Sequence, residues 1–157
     1  MHRFLPYILL LCSFFCTGCE FETSDNGALD GYWQLASVEV LHRNSEAASS
    51  NTLAVDLHQD MIPMRQFWSF QVNLLQLSDQ RFLLPSYLFR FEHRGDSLHI
   101  YNPYELDRTS EDRPVTDASM LEPYKLYGLE ERFHIEWLKE GTMCLENDSL
   151  RFFFNRY

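Results

Sequence analysis

The residues between His93 and Tyr101, HRGDSLHIY, hold the densest set of chemically suggestive letters in the chain. Gly95-Asp96-Ser97-Leu98 has the residue order of a nucleophile block in ester hydrolysis. Arg94-Gly95-Asp96 spells an adhesion tripeptide, and His99 follows two residues after the serine. A catalytic serine needs a separate base, an acid that orients the base, and donors for an oxyanion. Ser97 instead opens the alternating run Ser97-Leu98-His99-Ile100-Tyr101. An acid, a serine and a histidine packed into four consecutive strand residues cannot fold back on one another. Gly95-Asp96 lies between two strand-like runs, where a hairpin needs a tight bend, so the expectation is a turn.

Other side chains invite the same question. Asp56, His58 and Asp60 alternate and would converge on a divalent metal if the segment were extended, whereas in a helix His58 would point away from the two acids. The expectation is a solvated acidic loop and no metal site. His42, His93, His99 and His134 show no zinc-binding spacing. Glu130, Glu131 and Glu136 include an adjacent acid pair at a turn, expected to be solvated. Cys144 falls on the polar side of its run, as a small packed residue rather than a reactive thiol. No glycine-rich phosphate loop occurs, and no cofactor is expected.

The remaining cysteines belong to the start of the chain, MHRFLPYILLLCSFFCTGCEFETSDNG. Arg3 precedes an apolar run from Phe4 to Phe15, broken only by Pro6 and Ser13. That length suits a signal-peptide core and falls short of the roughly 20 residues that span a bilayer. Cys16-Thr17-Gly18-Cys19 has the spacing of a redox or zinc pair, but no folded unit and no further ligands surround it. Small residues before Cys19 resemble a lipobox, in which a peptidase cleaves before the cysteine and the thiol carries diacylglycerol. Cys16 departs from the usual outer residue. The resemblance implies a signal peptide over residues 1–18, lipidation at Cys19 and attachment to the outer membrane, on its periplasmic or its cell-surface side. Residues 19–29 then form an acidic, polar tether, which is either a surface-export signal or a plain spacer.

Removing the leader leaves a single domain from residue 30 to 157 with one thiol, Cys144, and hence no internal disulfide. With 23 acidic and 13 basic residues, the formal net charge is −10. This balance repels phosphate backbones, and nucleic acid is excluded as a partner class. It also gives no electrostatic grip on anionic lipid, so the membrane would be held through acyl chains alone.

The domain reads as all-β. Aromatic and β-branched residues fill short runs at Gly31–Val40, Phe67–Ser78, Ser86–Arg94, Ser97–Asn102 and from Arg132 to the C-terminus, separated by turn residues such as Glu140-Gly141 and Asn147-Asp148. Phe133, Ile135 and Trp137 alternate with Arg132, His134 and Glu136; Leu150, Phe152 and Phe154 alternate with Arg151, Phe153 and Asn155. One wet face and one buried face call for an antiparallel sheet, closed as an up-and-down barrel or folded as a sandwich. Two stretches break the pattern. Residues 43–64 form a long segment in which Thr52 would cap a short helix through Met61. Residues 104–121 are charged and irregular and would hang over one barrel end, where a lid belongs. Tyr124–Leu129 would add one helical turn.

Gly31-Tyr32-Trp33 opening the first strand resembles the lipocalin-like lipoproteins of Bacteroidetes. Phe67–Gln71, Tyr127-Gly128-Leu129 leading into Arg132–Glu136, and the closing Leu150-Arg151-Phe152 are similar to that group. The resemblance covers most of residues 30–157 through short motifs. It implies an antiparallel up-and-down barrel of about eight strands with Trp33 plugging one end, and no defined activity.

Trp33, Trp68, Phe70, Phe133, Trp137, Phe152 and Phe154 would line the interior, either around an apolar ligand or as a filled core. Phe67, Leu75, Leu77, Phe153 and Tyr157 put apolar surplus on both faces of their strands, as a partner-binding patch would. The expected function is lipid-anchored binding of a small apolar or amphipathic ligand in the cell envelope, without catalysis. The alternative is an accessory module of an envelope protein complex with a solid core.

Overall fold

The computed structural model describes residues 24–41, 58–107 and 109–157. Eight long antiparallel strands close on themselves: β1 (Gly31–Val40), β3 (Gln66–Gln71), β4 (Leu74–Asp79), β5 (Ser86–Arg94), β6 (Ser97–Leu106), β8 (Glu131–Lys139), β9 (Thr142–Glu146) and β10 (Leu150–Arg156). Each pairs with the next, and β10 returns to β1 with Leu35 opposite Phe154 and Val40 opposite Leu150. Two two-residue strands complete the sheet: β2 (Gln59–Asp60) on β1 and β7 (Arg113–Pro114) on β6. The up-and-down barrel is the expected architecture. Closure leaves none of the eight long strands as a free sheet edge.

The inward face carries the apolar residues that alternation selects. Trp33, Leu35, Trp68, Phe70, Leu75, Leu77, Phe133, Phe152 and Phe154 are buried in one core. Leu75 and Leu77, offered above as outer-patch residues, therefore point inward. Trp68 stands at the centre, its ring centroid 5.1 Å from Phe154 and 5.9 Å from both Phe133 and Phe152. Edge-on and tilted packing of this kind places positive ring edges on negative faces.

Trp137 is a correction. Period-2 reading puts it on the inner face with Phe133 and Ile135. A β-bulge between Ile135 and Trp137 inserts Glu136 as an extra residue opposite β9. The bulge reverses the alternation, so Trp137 is 37% exposed and meets Phe153 on the outside, 5.9 Å between centroids. Phe67 also points outward, yet it is buried, stacked on Tyr32 at 4.7 Å and edged by Tyr157 at 5.2 Å.

The turns show what local chemistry decides. Arg94 pairs with Ser97, so Gly95-Asp96 is a two-residue hairpin loop with Gly95 at φ +62°, as expected. Phe67–Ser78, read above as one run, is in fact a hairpin: Gln71 pairs with Leu74 around Val72-Asn73. Val72 takes φ +57°, an uncommon conformation for a β-branched residue. The Asn26 side-chain amide donates to Val72 O at 2.6 Å, and Phe91 N donates to Asn73 O at 3.0 Å, so long-range bonds hold the bend.

One end of the barrel is shut by the N-terminal segment. Gly27–Leu29, expected within the tether, is a single 3-10 turn with Leu29 fully buried against the barrel. Trp33 Nε1 donates to Leu29 O at 2.8 Å, and the Arg156 guanidinium lies 5.3 Å over the Trp33 ring while donating to Asp30 O. Gly31, at φ +139°, lets the chain pass this guanidinium, because a Cβ there would lie 2.9 Å from Arg156 Nη2.

The other end is shut by a lid, Ala118–Tyr124, a seven-residue 3-10 helix with Asp117 as its N-cap. Its Leu121 and Tyr124, and Leu126 just after it, are fully buried. The helical turn expected over Tyr124–Leu129 is thus displaced toward the N-terminus. The helix expected through Met61 is also corrected at its end, since Gln59–Asp60 pair with Val38 and Ser37 and Met61 N donates to Ala36 O. The β1 edge beyond Gln34 is left open by β3 and takes them as strand. Thr52 and the rest of that expected helix lie outside the described residues.

Candidate functional site

The lidded end collects polar groups on the inner face. Gln66 pairs with Asp79, and both are buried. Tyr87 Oη donates to Met120 O at 3.1 Å, Tyr124 Oη to Pro85 O at 2.9 Å, and Gln66 Nε2 to Pro123 O at 2.9 Å. Tyr87 and Tyr124 meet edge to face at 5.8 Å. Burial raises both phenol pKa values, Tyr87 further through Glu105 and Tyr124 through Asp79, so both stay protonated donors. Two side chains of the wall thereby bond to the lid, and one side chain of the lid bonds back to the loop before β5.

Asp79 organises the neighbouring loop. Its carboxylate accepts from Arg81 N at 2.8 Å, Arg81 Nε at 3.0 Å and Leu83 N at 3.3 Å. Burial alone would push its pKa up, but the Arg81 and Leu83 bonds outweigh burial and hold it below the usual 3.8. A depressed folded-state pKa adds stability that is complete above 3.8 and is lost as pH falls through the lower folded value. Asp79→Asn is expected to cost about 1–3 kcal/mol at pH 7. Urea melts of both proteins, repeated from pH 7 to pH 2.5, should show the gap closing below about pH 4. A gap independent of pH would refute this role. The bonded loop presents Phe82 (φ +58°) and Leu83 to solvent, 86% and 72% exposed.

Beside the lid, a cleft of about 510 Å³ opens where β1 ends and β10 begins. Val38, Val40 and Leu150 line its apolar side; His58, Asp60, Lys125 and Tyr127 give it a polar rim. Lys125 ends the lid helix at φ 64°, its N–H bonded back to Glu122 O and Leu121 O. Glu131 sets the next turn, accepting from Tyr127 N at 3.1 Å and Gly128 N at 3.0 Å while Asn147 holds its second oxygen at 3.2 Å. Glu131 is therefore a brace for the rim rather than the solvated acid expected. The size and the mixed lining suit a small amphipathic molecule. Sequence reading missed this cleft because its residues come from four separate segments.

The expected interior residues Trp33, Trp68, Phe70, Phe133, Phe152 and Phe154 all face the core, and Trp137 does not. Trp68, Phe70, Phe133, Phe152 and Phe154 pack ring against ring, Trp33 packs under Arg156, and none of the six lines the cleft.

The chemically suggestive residues disperse. Ser97 is exposed opposite His134; Asp96 Oδ2 lies 3.6 Å from His134 Nδ1, longer than a hydrogen bond, and His99 turns away to stack on Tyr101 at 4.9 Å. His58 Nδ1 contacts Glu39 at 3.2 Å and Asp60 accepts from Ile62 N at 3.0 Å, while Asp56 lies outside the described residues. Among the described residues no cluster of three metal-ligating side chains occurs.

Cys144 is fully buried, although it sits on the outward side of β9, opposite Phe153 and Trp137. Burial pushes its thiol up to about 12, the Arg151 charge opposing and nearby carboxylates adding to the effect. A thiol held there is almost entirely protonated at neutral pH and unreactive. Native protein is expected to resist Ellman's reagent at pH 8 for hours and to react at once in 6 M guanidinium chloride. Rapid native labelling would contradict that burial. Cys12, Cys16 and Cys19 lie outside the described residues.

Comparison with known proteins adds to this geometry. Residues 12–157 match the family described as Lipocalin-like domain. No protein of curated function matches. Among solved structures, a lipocalin-like protein from Bacteroides uniformis superposes with TM-score 0.58 at 16% identity, covering 83% of this chain and 100% of that one. An uncharacterized protein from Bacteroides eggerthii gives TM-score 0.47, also at 16% identity, over 82% of this chain and 98% of that one.

Proposed function

From the premise that this chain belongs to the lipocalin-like domain family, we propose that it is a lipid-anchored envelope protein that binds one small apolar or amphipathic ligand without catalysis. The observation that carries this reading is the cleft of about 510 Å³ beside the lid, with its Val38, Val40 and Leu150 side and its Lys125 and Tyr127 rim. Apolar groups of the ligand rest on the valines and the leucine, and its polar head meets the rim. The aromatic core is packed, so the ligand sits at the barrel end rather than in the middle.

Attachment through Cys19 fits this geometry. The described chain starts at Ser24, at the Trp33 end, where Asn26 bonds to Val72 O. Five residues reach at most about 18 Å, so an acylated Cys19 holds that end near the membrane and turns the lidded end away from it. The outer membrane, on its periplasmic or surface side, is the proposed location. Cys19→Ser should move the protein from the membrane fraction to the soluble one.

Native mass spectrometry of the protein extracted gently from its own membrane tests the binding. One discrete small-molecule adduct beyond the acyl mass, lost in a folded Val40→Trp variant that fills the cleft, is the expected result. A second reading, an accessory module of an envelope protein complex, draws on the packed core and on the exposed Phe82-Leu83 tip. A stoichiometric protein partner with no adduct would replace the first reading by the second. Ester hydrolysis that disappears in Ser97→Ala would overturn the non-catalytic part of both.

A further inference from the structure

Among the described residues, two buried polar atoms of the barrel interior have no hydrogen-bond partner: the Gln66 side-chain oxygen and the Trp68 indole N–H. Gln66 is 2% exposed and Trp68 is fully buried. Orphaned groups of this kind are costly, and native interiors rarely leave them unpaired.

The two groups are complementary. Gln66 Oε1 only accepts and Trp68 Nε1–H only donates. The amide orientation is forced, because the other end of the Gln66 side chain must donate to the Pro123 carbonyl. Both residues belong to β3, two positions apart on the same inward face, with Cα atoms about 6.5 Å apart. Gln66 lies directly under the lid through its bond to Pro123, and Trp68 lies one step deeper, against Phe133, Phe152 and Phe154. The other polar groups of this layer are engaged: Asp79 with Arg81 and Leu83, Tyr87 with Met120 and Tyr124 with Pro85.

We propose that Gln66 and Trp68 form an interior binding site for a single hydroxyl group, which donates to Gln66 Oε1 and accepts from the Trp68 indole N–H. A hydroxyl is the smallest group that satisfies both atoms at once, whereas a carbonyl would leave the glutamine oxygen unmet and an ammonium would leave the indole unmet. The hydroxyl is that of an internal water or of an alcohol-bearing molecule enclosed beneath the lid; the chemistry of recognition is the same. This site is separate from the cleft beside the lid and stands whether or not that cleft binds a ligand.

The test is proton NMR of the 15N-labelled protein, with the Trp68 indole signal assigned by its loss in Trp68→Phe. A rotating-frame cross-peak of proximity sign from the Trp68 indole proton to an oxygen-bound proton is expected. It should fall at least severalfold in Gln66→Met. A cross-peak at the water frequency assigns internal water. A cross-peak to a distinct bound resonance, with a small alcohol recovered after denaturation, assigns the enclosed molecule. No cross-peak to any oxygen-bound proton would overturn the site. Should Gln66→Met fail to fold, a high-resolution crystal structure of the unsubstituted protein decides. An oxygen within about 3.2 Å of both atoms upholds the proposal, and closed packing with neither atom contacted refutes it.

Discussion

Trp68→Ala is expected to destabilise the protein by about 3–5 kcal/mol. Trp68 is fully buried at the middle of the barrel, within 5.1–6.3 Å of the ring centroids of Phe70, Phe133, Phe152 and Phe154. These rings come from β3, β8 and β10, so one side chain ties opposite walls together. Truncation removes the transfer free energy of the indole and opens a cavity that a closed barrel cannot collapse around, because each wall is fixed by hydrogen bonds to its neighbours. With a urea m-value of about 1–3 kcal/mol/M, the midpoint should fall by roughly 1–5 M. Trp68→Phe keeps most of the volume and gives up no protein hydrogen bond, so it should lose far less. A loss under about 1 kcal/mol for Trp68→Ala would mean that the interior is loosely filled, and the ligand would then be sought in the barrel centre.

Tyr124→Ala should produce a second large effect, of similar size, about 3–5 kcal/mol. Its character should differ, because Tyr124 holds the lid rather than the barrel. The side chain is fully buried, packs edge to face on Tyr87 and donates to Pro85 O across the gap to the β4–β5 loop. Without it, the burial of Leu121 and Leu126 and the Gln66 and Tyr87 contacts remain to keep the 118–124 segment in place. Amide hydrogen exchange should accelerate through residues 115–126 and at Ser86–Leu88, while the β8–β9–β10 amides keep their protection. Tyr124→Phe isolates the hydroxyl and should cost about 1 kcal/mol. Uniform loss of protection in Tyr124→Ala would show instead that lid and barrel unfold as one unit. Ligand affinity gives a further readout: an opened lid displaces Lys125 and Tyr127 from the cleft rim and should weaken binding at least tenfold.

The fold was legible wherever a local rule decides it. Alternation at Phe133 and Ile135 and at Leu150, Phe152 and Phe154 marks one buried face of a sheet, and these residues do enter the core. Gly95-Asp96 reads as a turn because glycine reaches φ +62° without a steric cost. Gly31-Tyr32-Trp33 marks the closed end for a related reason, since the chain must pass close to Arg156 there. Each of these signals lies within a few residues of sequence.

What the tertiary structure decided is whatever depends on closing the ring. The Val72-Asn73 bend has no glycine or proline to announce it and is held by Asn26 and Phe91 from distant segments. The bulge at Glu136 turns Trp137 outward because β8 must stay in register with both β6 and β9, which no property of Arg132–Lys139 alone reveals. Gln59–Asp60 become a strand because β3 leaves part of the β1 edge unpaired. The cleft and the interior hydroxyl site follow the same rule. Val38, Leu150, Lys125 and Tyr127, or Gln66 and Pro123, are far apart in sequence and meet only when the lid settles on the end of a closed barrel. Apolar periodicity set which residues are buried; barrel closure set which of them meet.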